Sequence, residues 1–133
     1  MFRTGIIGWL LLTLTGCTEP LVMVEGRVTL QGENVARGTI DLIPADNTAG
    51  TNGRAVIEQG AFKLTSEMQP GRYLIRISAP QATGKKIKVE EGAPGAVGGE
   101  LDELRETIPP EYNQSSTLQR ELKSGKNVLD FRL

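Results

Sequence analysis

Few residues in this sequence could carry out chemistry. Cys17 is the only cysteine, and histidine is absent from all 133 residues. Because histidine is the commonest general acid or base and a common metal ligand, its absence removes many enzyme classes. One cysteine can form neither a disulfide within the chain nor a CxxC redox pair. The chemistry open to Cys17 is therefore that of a single thiol.

The residues before Cys17 have the order of an export signal. Arg3 supplies a short positive segment, and Ile6 to Leu14 form an apolar run of nine residues. A helix of nine to eleven residues, at about 1.5 Å rise per residue, covers only about half of a ~30 Å hydrocarbon core. The run therefore predicts a cleaved signal peptide and not a transmembrane helix.

The segment Leu14-Thr15-Gly16-Cys17 resembles the lipobox of bacterial lipoproteins, with an aliphatic residue, two small residues and then the cysteine. The resemblance implies cleavage between Gly16 and Cys17 and transfer of a diacylglyceryl group to the thiol. Two or three acyl chains, at ~0.8 kcal/mol per buried CH₂, give durable membrane anchoring. Thr18 in place of aspartate is compatible with sorting to the outer membrane. The alternative is an ordinary secretory signal that leaves Cys17 as a free thiol.

Carboxylates are concentrated between residues 90 and 106, and they could gather a hard cation such as calcium. The spacing of an EF-hand is missing, and pairing with nearby cations is the favoured interpretation. No metal and no cofactor is predicted, and the binding candidates kept from this group are Glu100, Asp102 and Glu103. The full acidic set comprises Glu90, Glu91, Glu100, Asp102, Glu103 and Glu106, and the cations are Lys85, Lys86, Lys88 and Arg105.

Tyr112, beside Pro109-Pro110, is a further binding candidate, because an aromatic ring with rigid neighbours can dock a partner or a sugar. Packing of this ring against the domain is the favoured alternative. Trp9 is removed with the signal, which weakens the case for carbohydrate stacking.

Serine hydrolysis with a lysine base has only nominal participants: Ser115 and Ser124, near Lys123 and Lys126. Nothing in their spacing organises an oxyanion hole, so the sequence predicts that the protein is not an enzyme. Removing Arg3 with the signal leaves 14 basic residues against 16 acidic ones, a net charge of −2. No basic field is present to attract nucleic acid.

The elements that must position these residues have a period of two and read as short strands. They predict an all-β, seven-stranded antiparallel Greek-key β-sandwich over residues 22–133, with a barrel as the alternative. Residues 80–113 are predicted to be one long loop in which Glu100 to Thr107 could form two helical turns. The final two strands are predicted to form a closing hairpin. The seven predicted strands are 22–30, 39–44, 54–59, 61–65, 72–79, 116–122 and 127–133.

Three segments together resemble the transthyretin-like, carboxypeptidase-regulatory-like domains of small bacterial lipoproteins. They are Val24 to Leu30 followed by Gly38 to Pro44, Gly60 to Leu64 followed by Pro70 to Ile77, and Ile108 to Asn113 followed by Ser116 to Leu118 and the final strand. The resemblance implies a seven-stranded prealbumin-like sandwich and supplies no catalytic residue. The chain departs from the family pattern at Glu58-Gln59-Gly60, where a more acidic turn is usual.

The predicted organisation is a signal peptide at 1–16, a lipidated cysteine and short tether at 17–21, and one domain at 22–133. The predicted function is that of a non-enzymatic, lipid-anchored cell-envelope protein with a structural, adhesive or protein-binding role. Its partners would be the membrane and other envelope proteins or polysaccharide. The alternative is a lipoprotein that binds a small ligand, a carbohydrate or a calcium-dependent ligand in a pocket between the sandwich and the long loop. A hydrolase is the third possibility.

Overall fold

The computed structural model describes residues 16, 21–89, 92 and 98–133, so Cys17 and residues 1–15 of the predicted signal peptide 1–16 lie outside the described residues. The described chain is all-β, as predicted. None of its helices has the length and apolar character needed to cross a membrane. Its elements are β1 (Val22–Leu30), β2 (Glu33–Asn34), β3 (Arg37–Pro44), β4 (Gly53–Glu58), β5 (Ala61–Ser66), β6 (Gly71–Ser78), β7 (Pro80–Val89), β8 (Gly99–Glu106), a 3-10 helix (Pro110–Tyr112), β9 (Gln119–Leu122) and β10 (Gly125–Arg132).

One curled sheet contains all seven strands predicted from the sequence. Its order is β10-β1-β5-β4-β3-β6-β9, and the two-residue β2 pairs with β1. β4 and β5 share only two residue pairs, Ile57 with Phe62 and Glu58 with Ala61. The sheet turns at this short pairing into two limbs. The first limb is β10, β1 and β5, and the second limb is β4, β3, β6 and β9.

The core lies between the inner faces of the two limbs. Strand residues alternate between buried and exposed, as expected when successive side chains point to opposite faces. In β6, Tyr73, Ile75 and Ile77 are fully buried and form one inward face. Ile57 is buried in β4, whereas Val56 is 55% exposed. The remaining residues of the buried hydrophobic core are Val22, Val24, Val28, Val35, Ile40, Leu42, Ala55, Phe62, Met68, Ala79, Ile108, Leu122 and Phe131.

Gly26 occupies an inward position of β1 where no side chain fits. A Cβ there would lie 1.6 Å from the backbone oxygen of Leu129 in β10. Such a distance is far inside van der Waals contact, so β10 could not approach β1 if any other residue stood at this position. Gly26 thus permits the close approach of β1 and β10.

The predicted closing hairpin at the C-terminus is wrong. β9 pairs with β6, and β10 pairs with β1 in parallel. The side chain of Asn127 holds the connection: its Oδ1 accepts from Lys123 N at 2.9 Å and its Nδ2 donates to Lys123 O at 2.8 Å. Because these backbone groups are satisfied by a side chain, the chain can pass from one limb to the other instead of pairing with itself.

The prediction of a long loop with two helical turns at 80–113 is also wrong. β7 and β8 form a separate two-stranded sheet. The short 3-10 helix lies between this sheet and β9. The i, i+3 spacing of Leu101 and Leu104 suggested a helix, but both side chains are exposed, at 62% and 61%. No core contact therefore favours the helical period, and the segment forms a hairpin ladder with its neighbour in sequence.

Candidate functional site

The β7–β8 hairpin is the part of the described chain that differs most from the rest. Every residue of β7 except Val89 and every residue of β8 except Glu103 is exposed. Isolated two-stranded hairpins are only marginally stable in water, because they have no shared core. A projecting ribbon of this kind is consistent with a surface that binds something else.

The base of the hairpin is fixed to the sheet through Glu106. Its carboxylate accepts hydrogen bonds from Ser78 Oγ at 2.6 Å, Ala79 N at 2.8 Å and Ile108 N at 3.0 Å. Thr107 Oγ1 donates to Ala79 O at 2.7 Å beside it. Burial alone would raise the pKa of Glu106, but these hydrogen bonds outweigh burial and lower the pKa. The carboxylate form therefore holds the hairpin in place.

Opposite charges face each other across the outer part of the hairpin. Lys86 Nζ lies 2.5 Å from Asp102 Oδ1, and Lys88 is directly opposite Glu100 in the strand register. The favoured sequence interpretation, in which the carboxylates pair with nearby lysines, is confirmed for the first of these pairs. Both residues of that pair are more than half exposed, so the pair adds little to stability.

The other face of the same section is apolar. Ile87 and Leu101 are direct cross-strand partners, and they are 51% and 62% exposed. Successive strand residues point to opposite faces, so this apolar pair lies on the face opposite the Lys86 and Asp102 row. This part of the hairpin thus has one charged face and one apolar face.

A bulge separates the outer part of the hairpin from its base. Ala82 pairs with Leu104 and Lys86 with Asp102, so three residues of β7 stand opposite the single residue Glu103. Thr83 Oγ1 donates to Glu103 Oε2 at 2.7 Å within this bulge. The regular ladder beyond it comprises 86–89 of β7 and 99–102 of β8. We call this segment the outer section.

The strand register places the hairpin and the start of β1 at opposite ends of the curled sheet. At the proximal end, Val22 pairs with Ser66 and with Gly125. The distal end can be followed from strand to strand across the sheet. Arg27 of β1 pairs with Ala61 of β5, which pairs with Glu58 of β4. Glu58 pairs with Arg37 of β3, and two residues further along β3, Thr39 pairs with Ser78 of β6. β6 runs toward the distal end, and β7 follows after the single residue Ala79. The hairpin therefore projects from the end farthest from Val22.

The structure does not bring the sequence-predicted site residues together. Tyr112 is half-buried in the 3-10 helix and packs against the core, as the favoured alternative had it. Glu100 and Asp102 lie on one face of β8, and Glu103 is bound to Thr83. Within the described residues, no group of three or more acidic side chains is arranged to hold a metal ion.

The remaining sequence candidates lie elsewhere. Gly16 is exposed, and Cys17 falls outside the described residues. Ser115 N donates to Pro110 O at 2.9 Å, and Ser124 precedes Gly125 in the β9–β10 connection. A small open cleft of about 350 Å³ lies beside the hairpin base, where the sequence predicted a pocket, and is lined by Arg37, Thr39, Ser78 and Pro80 among others.

A second depression, of about 660 Å³, lies near Gly26 and is lined by residues of the first limb together with Val56 and Glu58 of β4. Its charged walls include Glu25, which accepts from Lys126 Nζ at 2.6 Å. That hydrogen bond lowers the pKa of Glu25. The depression is wide and shallow, and Glu25 in its lining is engaged in a surface pair, so the hairpin remains the stronger candidate.

Comparison of the chain with protein-family models, with curated proteins and with solved structures found no match. The residues and their geometry are therefore the basis on which a function can be inferred. Sequence analysis missed the hairpin, although one signal was available. The alternation Lys86, Lys88 and the complementary alternation Glu100, Asp102 have the period of two that is typical of paired strands.

Proposed function

We propose that this protein is a lipid-anchored cell-envelope lipoprotein whose transthyretin-like Greek-key sandwich holds a protein-binding hairpin away from the membrane. The observation that carries the proposal is the placement of Val22 and the β7–β8 hairpin at opposite ends of the sheet. An anchor at Cys17 joins the domain at its proximal end. The hairpin then lies on the side of the domain away from the membrane, where a protein partner can bind it.

The short tether supports this orientation. Five residue steps separate Cys17 from Val22, and a fully extended chain spans at most about 3.6 Å per residue, or about 18 Å in all. β1 is paired on both sides from Val22 onward, with β5 and with β10. The proximal end therefore stays near the lipid surface and the hairpin extends from the far side.

The titratable groups support binding over catalysis. Perturbed pKa values often cluster at active sites. Here, within the described chain, the groups with shifted pKa values are dispersed and held by structural partners. A hydrogen bond to Asp41 raises the pKa of Arg54, and burial raises the pKa of Tyr73. Glu25 and Glu106 are likewise held, by Lys126 and by the hairpin base.

Metabolic labelling with a radioactive lipid precursor tests the anchor. The wild-type chain should incorporate the label and sediment with membranes, whereas Cys17→Ser should lose the label and leave the membrane fraction. Ser124→Cys is a matched control that adds a thiol at an exposed site and should leave labelling unchanged. Label that persists in Cys17→Ser would contradict the lipoprotein proposal.

Fluorescence quenching tests the orientation. Because the Cys17 thiol is consumed by lipidation, a single introduced cysteine can be labelled in Ser124→Cys, at the proximal end, or in Leu104→Cys, on the hairpin. In vesicles with spin-labelled headgroups, the probe at position 124 should be quenched strongly and the probe at position 104 weakly. The reverse order would contradict a hairpin that points away from the membrane.

A further inference from the structure

We propose that the hairpins of neighbouring copies pair edge to edge, with β7 of one copy beside β8 of the next, so that the protein forms a lateral head-to-tail array on the membrane. This inference deepens the proposed function and rests on it in one respect, namely that the anchor gives all copies the same orientation. The partner of the hairpin is therefore a second copy of this chain.

The two free edges of the outer section carry opposite charges. β7 presents Lys86 and Lys88, and β8 presents Glu100 and Asp102. A strand edge also presents unpaired backbone N–H and C=O groups that can pair with another strand. Contact of two β7 edges or of two β8 edges would place like charges side by side, which disfavours it. Contact of β7 with β8 places opposite charges side by side.

The directions of the strands agree with this pairing. β7 runs away from the distal end and β8 runs back toward it. When two copies stand side by side in the same orientation, β8 of one copy is antiparallel to β7 of the next. Each contact uses the β7 edge of one copy and the β8 edge of the next, so each copy keeps a second edge for a further neighbour. The contact is therefore heterologous and can repeat by translation along a line. Membrane anchoring imposes this common orientation.

When neighbouring copies stand at the same height above the membrane, the cross-strand rows of one outer section line up with the same rows of the next. Each Lys86 would then stand between the Asp102 of its own hairpin and the Asp102 of its neighbour, and Lys88 would stand likewise between two Glu100 side chains. On the opposite face, each exposed Ile87 would lie between two Leu101 side chains. Cross-strand pairs of both kinds stabilise sheets. The pairing therefore accounts for the apolar side chains that a lone hairpin leaves in water.

The bulge limits the contact to about four residues on each edge. β-Bulges interrupt regular pairing and twist an edge away, so Thr83 to Lys85 prevent the ladder from extending to the base. So short a contact is weak between freely diffusing molecules. Confinement to a membrane raises the effective concentration of the partners, in the way that linking two modules does. Association should therefore depend on the anchor.

Carbodiimide cross-linking in vesicles tests the proposal, because the reagent joins a lysine to a carboxylate that lies in contact with it. Wild-type full chain labelled with ¹⁴N and with ¹⁵N is incorporated together at equal amounts. Cross-linked peptides of mixed isotope arise only between copies. We expect mixed-isotope links between the Lys86–Lys88 peptide and the Glu100–Asp102 peptide, and at least a tenfold loss of them in 1 M salt.

A charge-swapped variant supplies the matched control. It combines Lys86→Glu, Lys88→Glu, Glu100→Lys and Asp102→Lys, so each cross-strand pair within the hairpin keeps opposite charges. This variant should cross-link with itself as wild type does. Mixed with wild type at the same surface density, it should give about tenfold fewer mixed-isotope links of the β7-to-β8 kind, because every β7–β8 contact between the two forms opposes like charges.

The outcomes separate this inference from the proposed function. The array is overturned if wild type gives no mixed-isotope links. It is also overturned if mixtures of wild type and the swapped variant give as many mixed-isotope links as wild type alone. If the chain is not lipidated by cells, the proposed anchor fails instead. The same comparison can then be made with Cys17 coupled to a maleimide lipid, which supplies the anchor chemically.

Discussion

The curled sheet and the β7–β8 hairpin are built from the same secondary structure and are held together by different forces. Sheet strands alternate buried and exposed residues around one core, whereas hairpin residues are exposed on both faces. Burial of apolar surface is the main source of stability in folding. We therefore expect the sheet to set the global free energy of unfolding. The hairpin should respond to changes without altering that quantity.

The largest difference is expected at glycine positions. Gly26→Ala should destabilise the protein by more than about 3 kcal/mol, because the new Cβ would meet the backbone of Leu129 at 1.6 Å. Gly84→Ala, in the hairpin bulge at φ +86° with open space around it, should cost about 1 kcal/mol and only locally. Urea denaturation followed by circular dichroism should therefore show a lowered midpoint for Gly26→Ala and a midpoint close to that of wild type for Gly84→Ala. Equal midpoints for the two variants would remove the distinction between the regions.

The same change at two isoleucines sharpens the comparison. Ile75→Ala removes a fully buried side chain of β6 and should lower the free energy of unfolding by about 3 kcal/mol. Ile87→Ala removes a half-exposed side chain of β7 and should change it by less than about 0.5 kcal/mol. A cost at Ile87 close to that at Ile75 would show that the hairpin belongs to the cooperative core.

The joint between the two regions should respond to acid. Folding lowers the pKa of Glu106, so its contribution to stability is present above the pKa of the unfolded chain. That contribution is lost as the pH falls through the lower, folded pKa. As the pH falls through the folded pKa of Glu106, hydrogen-exchange protection of the hairpin amides, corrected for intrinsic exchange rates, should therefore decline before that of β6. Glu106→Gln should weaken this protection at neutral pH and remove the pH dependence; an unchanged pH profile would argue against the role assigned to the carboxylate.

The smallest effect on stability is expected at the surface ion pair of the outer section. Lys86→Ala should change the free energy of unfolding by no more than about 0.5 kcal/mol, since both partners of the pair are well exposed. The same substitution should reduce cross-linking between copies on vesicles. Lys63→Ala, on an exposed position of β5, is the control for loss of a surface charge. A large loss of stability at Lys86 alone would mean that the pair serves folding and not association.

Sequence reasoning recovered the strands that have a core to face. Tyr73, Ile75 and Ile77 recur at a spacing of two, and that pattern is visible without any partner strand. Sequence reasoning failed where no strand face is buried, because no hydrophobic period then marks the strand. The hairpin has no buried face, so composition alone suggested a loop, and the spacing of Leu101 and Leu104 suggested a helix.

The pairing of the last two strands also escaped sequence reasoning. The last two strands are close in sequence, and adjacent strands often pair, so a hairpin was the natural expectation. The structure instead joins them across the two limbs, where Asn127 holds the connection and the Arg120 guanidinium lies 5.2 Å from the centre of the Phe131 ring. These contacts link residues whose relation depends on how the whole sheet curls.

The sequence by itself determined the all-β class, most of the inward faces and the export-and-lipidation hypothesis centred on Cys17. Those conclusions rest on local spacing, which the chain carries wherever it folds. Only the tertiary structure decided which strands pair, that β10 runs parallel to β1, and that the start of β1 and the hairpin lie at opposite ends. The reason is physical: register and strand order depend on contacts between distant residues, and those contacts exist only after the sheet has closed around its core.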